Sequence, residues 1–197
     1  MLSVLLLADV YLIAQGDDRS MRLFTKPFLI PLLLAFYVNK TKELNYLFLA
    51  GLVFSFLGDV FLLFSWGFLP GLGSFLTAHV LYVFSFKRYF NKHQILLIPI
   101  LLAFVTGLLW FLFPYLHEMK LPVIIYALII SIMLYVAFTT QQKWLIAGAL
   151  FFVISDTLLS INIFYETSLL REMLVMLTYI VAQLLLVVGM KQLNGGR

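Results

Sequence analysis

No cysteine occurs anywhere in this chain. That excludes disulfides, thiolate nucleophiles and thiolate-ligated metals. Charge is almost as scarce. Only 11% of the 197 residues are Asp, Glu, Lys or Arg, whereas a soluble domain carries about 25%. The few basic residues make no dense basic face, so no nucleic-acid partner is expected. No Gly-x-Ser-x-Gly elbow offers a serine nucleophile. There are three histidines; His93 and His117 fall in connections on opposite predicted sides, so no three-histidine metal site can assemble. No metal is expected, although two aspartates with His79 leave one cation arrangement open.

What the chain has in abundance is apolar surface, 63% of its residues. A span needs about 20 mostly apolar residues. The sequence therefore predicts an all-α polytopic membrane protein of about eight transmembrane helices, one membrane domain over 1–197 with little left for a soluble one. The apolar segments are 1–14, 24–39, 44–66, 70–90, 94–113, 121–140, 143–165 and 168–190. The first is short enough to reach only part-way. No basic residue precedes it and no small-x-small cleavage pattern follows, so it is expected to be a retained helix rather than a signal peptide. Pro27, Pro31, Pro99 and Pro122 fall in predicted first helical turns, where a missing amide costs little. The aromatic residues are expected mainly at lipid-facing or interfacial positions.

The connections hold most of the charge, and the net charge of +4 suits basic loops against anionic headgroups. One side would carry Lys40, Lys42, Lys87, Arg88, Lys92, Lys143, Lys191 and Arg197. The other would carry Arg19, Arg22, Lys26, Lys120 and Arg171. The first set is larger, which predicts both termini in the cytoplasm and, if the host is bacterial, the chain in its inner (plasma) membrane.

A shift of 97 residues superposes Ala50, Gly51, Phe54, Asp59 and Leu62 on Ala147, Gly148, Phe151, Asp156 and Leu159, and Tyr82 on Tyr179. Segments one to four then fall on five to eight. The pattern fits a parallel repeat with halves 1–93 and 94–190, and equally fits coincidence in a chain rich in Leu and Phe.

Asp59 and Asp156 dominate the candidate site. Each lies in an apolar run, about two-thirds along the third and seventh segments. A carboxylate there costs at least about 2.5 kcal/mol on insertion scales and persists when it is paired, solvated or functional. Ser55 shares a helix face with Asp59 at i−4, and Ser160 one with Asp156 at i+4. The plainer reading is that each aspartate bonds only a serine or tyrosine on a neighbouring helix. Lys26 is predicted at the same end as both acids, placed to meet a phosphate, pair with an aspartate or snorkel. His79 and Tyr82 share a face at i, i+3, as proton relay or as an interhelical contact. Tyr179 is the repeat counterpart of Tyr82, and Asn162 can line the same cavity. Asp9 is a third intramembrane acid, interfacial or paired with Lys26. The stretch Leu69-Pro-Gly-Leu-Gly-Ser74, expected ahead of the fourth helix, offers a glycine turn for a phosphate or simply a tight turn.

Four pieces together resemble the YhhN-type lysoplasmalogenase family. They are Thr25-Lys-Pro-Phe-Leu-Ile-Pro-Leu-Leu33, Phe54-Ser-Phe-Leu-Gly-Asp-Val-Phe-Leu-Leu63, Gly73-Ser-Phe-Leu-Thr-Ala-His-Val-Leu-Tyr82 and Gly148-Ala-Leu-Phe-Phe-Val-Ile-Ser-Asp-Thr-Leu-Leu159. The resemblance implies hydrolysis of the vinyl ether bond of lysoplasmalogens to a fatty aldehyde and glycerophosphoethanolamine or glycerophosphocholine. It implies a lysophospholipid substrate among membrane lipids and no cofactor. Asp156 is then the expected acid and Asp59 the expected base, with His79 and Tyr82 orienting the pair and Lys26 holding the phosphate. On the residues alone, a proton-coupled carrier of a small molecule or lipid uses the same acids equally well, and a lipid-sensing protein without turnover is a third reading. The oligomeric state is not legible.

Overall fold

The computed structural model describes residues 2–15, 22–41 and 43–195. Eight α-helices and no strands occur among them: α1 (Leu2–Ala14), α2 (Lys26–Lys40), α3 (Tyr46–Phe61), α4 (Phe68–Lys87), α5 (Leu97–Leu112), α6 (Lys120–Thr139), α7 (Lys143–Phe164) and α8 (Leu169–Gly195). Two short 3-10 turns, Phe113–Tyr115 and His117–Met119, join α5 to α6. Each helix matches one predicted segment in order. Leucine, isoleucine, valine and phenylalanine surround nearly every helix, which is what a helical membrane protein requires, and the outward faces of α1, α5 and α6 are rich in exposed Leu, Ile and Val.

Eight full spans are not seen. Five helices have the length and apolarity to cross a bilayer: α4, α5, α6, α7 and α8. Among the others, α1 has 13 residues, α2 has 15 and α3 has 16. The expected third span, 44–66, closes early. The chain reverses after Phe61 through the bonds Leu63 N–H to the Val60 carbonyl and Phe64 N–H to the Phe61 carbonyl. Gly67 lies so close to the Phe61 carbonyl that a Cβ there would sit 1.8 Å from its oxygen. Pro31 also departs from expectation: it lies inside α2, beyond the first turn. The expected glycine turn 69–74 is instead helical, forming the first turns of α4 with Gly71 and Ser74 buried.

Two helical hairpins carry the most extensive packing, α3 with α4 and α7 with α8. Their starts are capped alike. The Asn45 side chain accepts from the Phe48 amide at 3.1 Å, and the Gln142 side chain, 97 residues later, accepts from the Leu145 amide at 2.7 Å. Glycine lets the α7 and α8 backbones approach, since a Cβ on Gly148 would lie 2.8 Å from the Leu186 nitrogen. Helix α5 is loosely attached, with only Val105 and Leu112 buried.

The aromatic residues divide. Trp66, Trp110 and Tyr46 are exposed, but Tyr37, Phe48, Tyr82, Phe86 and Phe152 are fully buried. The exposed aromatics outnumber the buried ones, as expected, and the smaller buried group joins the core. Phe48 packs edge-on to Tyr37 at 5.1 Å and against Tyr82 at 5.3 Å. Tyr82 finds room because Gly51 has no side chain; a Cβ would lie 2.4 Å from the Tyr82 ring. The ring is held by hydrogen bonds and cannot retreat, so Gly51→Val should cost about 1–3 kcal/mol through overpacking. Thermal unfolding in detergent is expected to show a clear drop in Tm, and an unchanged Tm would mean that the contact yields.

Candidate functional site

The acids Asp9, Asp59 and Asp156 and the cations Arg22 and Lys26 gather toward one end of the bundle, where α2, α6 and α8 begin and α3 and α7 finish. Lys26 is thus found at the acids' end, as expected. Three connected clusters occupy that end.

The first surrounds Asp59, which is 2% exposed near the C-terminus of α3. Tyr179 of α8 donates to its Oδ2 at 2.7 Å. Lys26 Nζ, from the first residue of α2, lies 3.6 Å from Oδ1. Of the roles foreseen for Lys26, the ion pair with an aspartate is realised. Ser55 does not reach Asp59; its hydroxyl meets Tyr82 Oη at 3.2 Å. Tyr82 donates to Gln183 Oε1 at 3.1 Å, and Gln183 Nε2 donates to Tyr179 Oη at 3.4 Å.

The second cluster surrounds Asp156, in the later half of α7. Tyr126 of α6 donates to its Oδ2 at 2.6 Å. His79 of α4, fully buried, brings Nε2 to 3.8 Å from the same oxygen. That is an approach rather than a hydrogen bond. The imidazole is wedged edge-on between Phe152 at 4.6 Å and Tyr126 at 5.3 Å. Ser160 turns away and donates to the Thr157 carbonyl. Each aspartate therefore does have a tyrosine donor, as the plainer reading anticipated, and each also has a cationic or imidazole neighbour. Asp59 draws its partners from α2 and α8; Asp156 draws its partners from α6 and α4.

The third cluster disposes of Asp9. It is buried in α1 and takes two contacts from Arg22, Nε to Oδ1 at 3.4 Å and Nη2 to Oδ2 at 3.2 Å, with Thr25 Oγ1 at 2.7 Å. Its cation is Arg22, not Lys26. Arg22 Nη1 also reaches Glu172 Oε1, in the first turn of α8, at 2.5 Å.

Two kinds of space meet here. A cavity of about 390 Å³ is lined by Arg22, Lys26, Glu172, Asn162, Ser65 and Thr167 among its polar residues. A narrow apolar crevice adjoins it, lined by Phe75, Tyr126, Asp156 and Ser160, and the two share Leu62, Phe68, Leu159 and Ile163. The crevice continues past Asp156 between α5, α6 and α7, along Phe104, Leu108, Leu109, Ala127 and Ile130. Asp156 thus lines two of these three spaces, while Asp59 lines none of them and stands behind Lys26. Asn162 lines the polar cavity, and its Oδ1 accepts from the Ser168 amide, ordering the α7–α8 connection.

Tyr126, Gln183 and Glu172 were not singled out in the sequence. Gln183 had a signal, an amide four residues after Tyr179 in an otherwise apolar run. Among the described residues, no group of three His, Asp or Glu side chains is close enough to share a metal ion.

The sequence model of the YhhN family matches residues 21–190. Among curated proteins, lysoplasmalogenase TMEM86B of Homo sapiens is 36% identical over 68% of this chain and 59% of its own length. The Sus scrofa protein of that name is 34% identical over 72% of this chain and 62% of its own. The Rattus norvegicus protein is 32% identical over 82% and 68%. The chain spans about three-fifths of the length of the first two relatives. No solved structure matches.

Removing Arg22 would leave Asp9 as an uncompensated buried charge, a loss of about 3–5 kcal/mol. Arg22→Met should lower the unfolding temperature sharply, and Asp9→Asn combined with it should recover much of the loss. A double variant no more stable than Arg22→Met would show that the pair is not the source of the effect.

Proposed function

The chain belongs to the YhhN family, and from that we propose that it is an ether hydrolase cleaving the vinyl ether bond of a lysoplasmalogen. The products are a fatty aldehyde and glycerophosphoethanolamine or glycerophosphocholine. One observation carries the reading: a polar cavity with two cations adjoins an apolar crevice, and a carboxyl, Asp156, lines that crevice on the apolar side of the boundary. A lysoplasmalogen has its reactive bond at that same boundary, between a phosphate-bearing glycerol and a long hydrocarbon chain. Relatives named lysoplasmalogenase support the same reaction.

In this reading Lys26 and Arg22 meet the phosphate, Glu172 faces the headgroup amine, and the alkenyl chain follows the crevice between α5, α6 and α7. Asp156 gives its proton to the β-carbon of the vinyl ether. The electron pair of the double bond forms the new C–H bond, and the ether oxygen shares the resulting positive charge as an oxocarbenium ion. Water adds to the adjacent carbon and returns a proton to Asp156. The hemiacetal then collapses to aldehyde and free glycerol hydroxyl. This is the acid–base logic of glycoside hydrolysis. Asp59, with Tyr179 and Lys26 on its two oxygens, supplies the fixed negative field that stabilises the cation rather than touching the water. Tyr126 holds the Asp156 carboxyl in place by its hydrogen bond, and the His79 ring packs beside it. None of these steps calls on a cofactor.

We also read residues 1–197 as one catalytic domain of two four-helix halves, 1–93 and 94–190, with both termini cytoplasmic. The matched caps at Asn45 and Gln142 and the exchanged helix partners of the two aspartates support the halves. Of the basic residues counted for orientation, Arg19, Lys42 and Arg197 lie outside the described residues. Reporter fusions in the loop 88–96 should report a cytoplasmic location; an external signal would reverse the orientation.

Purified protein given lysoplasmalogen should release aldehyde, followed by coupled alcohol dehydrogenase; a carrier would release none. Asp156→Asn and Asp59→Asn should each cut kcat by about 10²–10⁴-fold with folding intact. Near-wild-type turnover in either variant would take that residue out of the mechanism. Lys26→Ala should raise KM at least about tenfold and, by stripping Asp59 of its cation, lower kcat too. An unchanged KM would rule out the phosphate contact.

A further inference from the structure

We propose that Gln183 is a positioning residue that orients the Tyr179 hydroxyl onto Asp59. The inference rests on the hydrolytic reading of the site, which it deepens.

Ser55, Tyr82, Gln183, Tyr179 and Asp59 form one continuous hydrogen-bonded chain across α3, α4 and α8, with steps of 3.2, 3.1, 3.4 and 2.7 Å. Every member is buried. The polarity of the chain is set by its one amide. Gln183 cannot exchange donor and acceptor by ionising. Its Oε1 accepts from Tyr82, so its Nε2 must donate to Tyr179. With that lone pair occupied, the Tyr179 proton has one acceptor left, Asp59 Oδ2. A tyrosine free to rotate would spend part of its time turned away, and Asp59 would then hold its charge against Lys26 alone. Gly51 supports the array from below by admitting the Tyr82 ring. Gln183 touches none of the cavities described, so it acts through Tyr179 and not on the lipid.

Three variants separate this role from plain packing. Gln183→Met keeps the side chain's length and removes both hydrogen bonds. Gln183→Glu keeps the shape and replaces the amide donor with an acceptor. Tyr179→Phe removes the final donor. Infrared difference spectra of the purified protein, with the Asp59 carboxyl band assigned through Asp59→Asn, need no substrate. Gln183→Met should shift that band in the direction Tyr179→Phe does. In turnover, Gln183→Glu and Gln183→Met should lower kcat about tenfold with KM within about twofold. The double variant Gln183→Met with Tyr179→Phe should be no slower than Tyr179→Phe alone, since the two act as one unit. An unmoved Asp59 band in Gln183→Met, or fully additive losses in the double variant, would overturn the assignment. Should the wild-type protein release no aldehyde, the hydrolytic reading falls, while the infrared result still decides whether Gln183 orients Tyr179.

Discussion

The structure depends on how a bundle of apolar helices tolerates a buried negative charge. Desolvating a carboxylate is so costly that each one must be met by charge or by strong donors. The chain answers three times. Asp9 takes Arg22 and Thr25, Asp59 takes Lys26 and Tyr179, and Asp156 takes Tyr126 beside His79. Asp9 is answered from the connection before α2, and Asp59 and Asp156 from other helices, so the acids tie the bundle together as well as populate the site. The α1–Arg22–α8 clasp and the α2–α3–α8 cluster both end on α8.

Compensation differs among the three, and that difference separates their proposed roles. Asp9 is fully buried beneath a two-point arginine contact and serves the fold. Asp59 has a lysine and a tyrosine on its two oxygens and works as a fixed charge. Asp156 has no Lys or Arg partner among the described residues and borders open space, which suits a carboxyl that must give and recover a proton. The cations that would receive a headgroup, Lys26 and Arg22, are the same cations that balance Asp59 and Asp9. In the proposed reaction, binding and catalysis would therefore be coupled through shared charges.

Much of this was legible before any coordinates. The eight helices follow from runs of Leu, Ile, Val and Phe, and the candidates Asp59, Asp156, Lys26 and His79 stood out because charge is rare in such runs. Pairings across helices were not legible. Nothing local to Asp9 distinguishes Arg22 from Lys26, and Ser55 shares a face with Asp59 yet bonds Tyr82. Tyr126 lies in a segment without a motif, and its role exists only because α6 packs beside α7. The early end of α3 was hidden because Leu62–Trp66 is as apolar as the helix before it; the turn bonds of Leu63 and Phe64 and the crowding of Gly67 on the Phe61 carbonyl reveal the reversal. Aromatic burial escaped for a similar reason, since the room for Tyr82 is made by a glycine 31 positions away in the chain.

The brevity of α2 and α3, at 15 and 16 residues, has a consequence for the surrounding lipid. At about 1.5 Å per residue they reach only about 22–24 Å, short of a hydrocarbon core about 30 Å thick. Lipids beside such helices accommodate the mismatch by pinching the leaflet inward. An indentation beside α2 and α3 would fall on the flank that bears Lys26 and Asp59 and would bring the water–headgroup boundary toward the polar cavity. Under the proposed function, an amphiphile entering from that flank would keep its glycerol hydrated and its tail in oil throughout the approach, with no need to be lifted out of the membrane to reach Asp156.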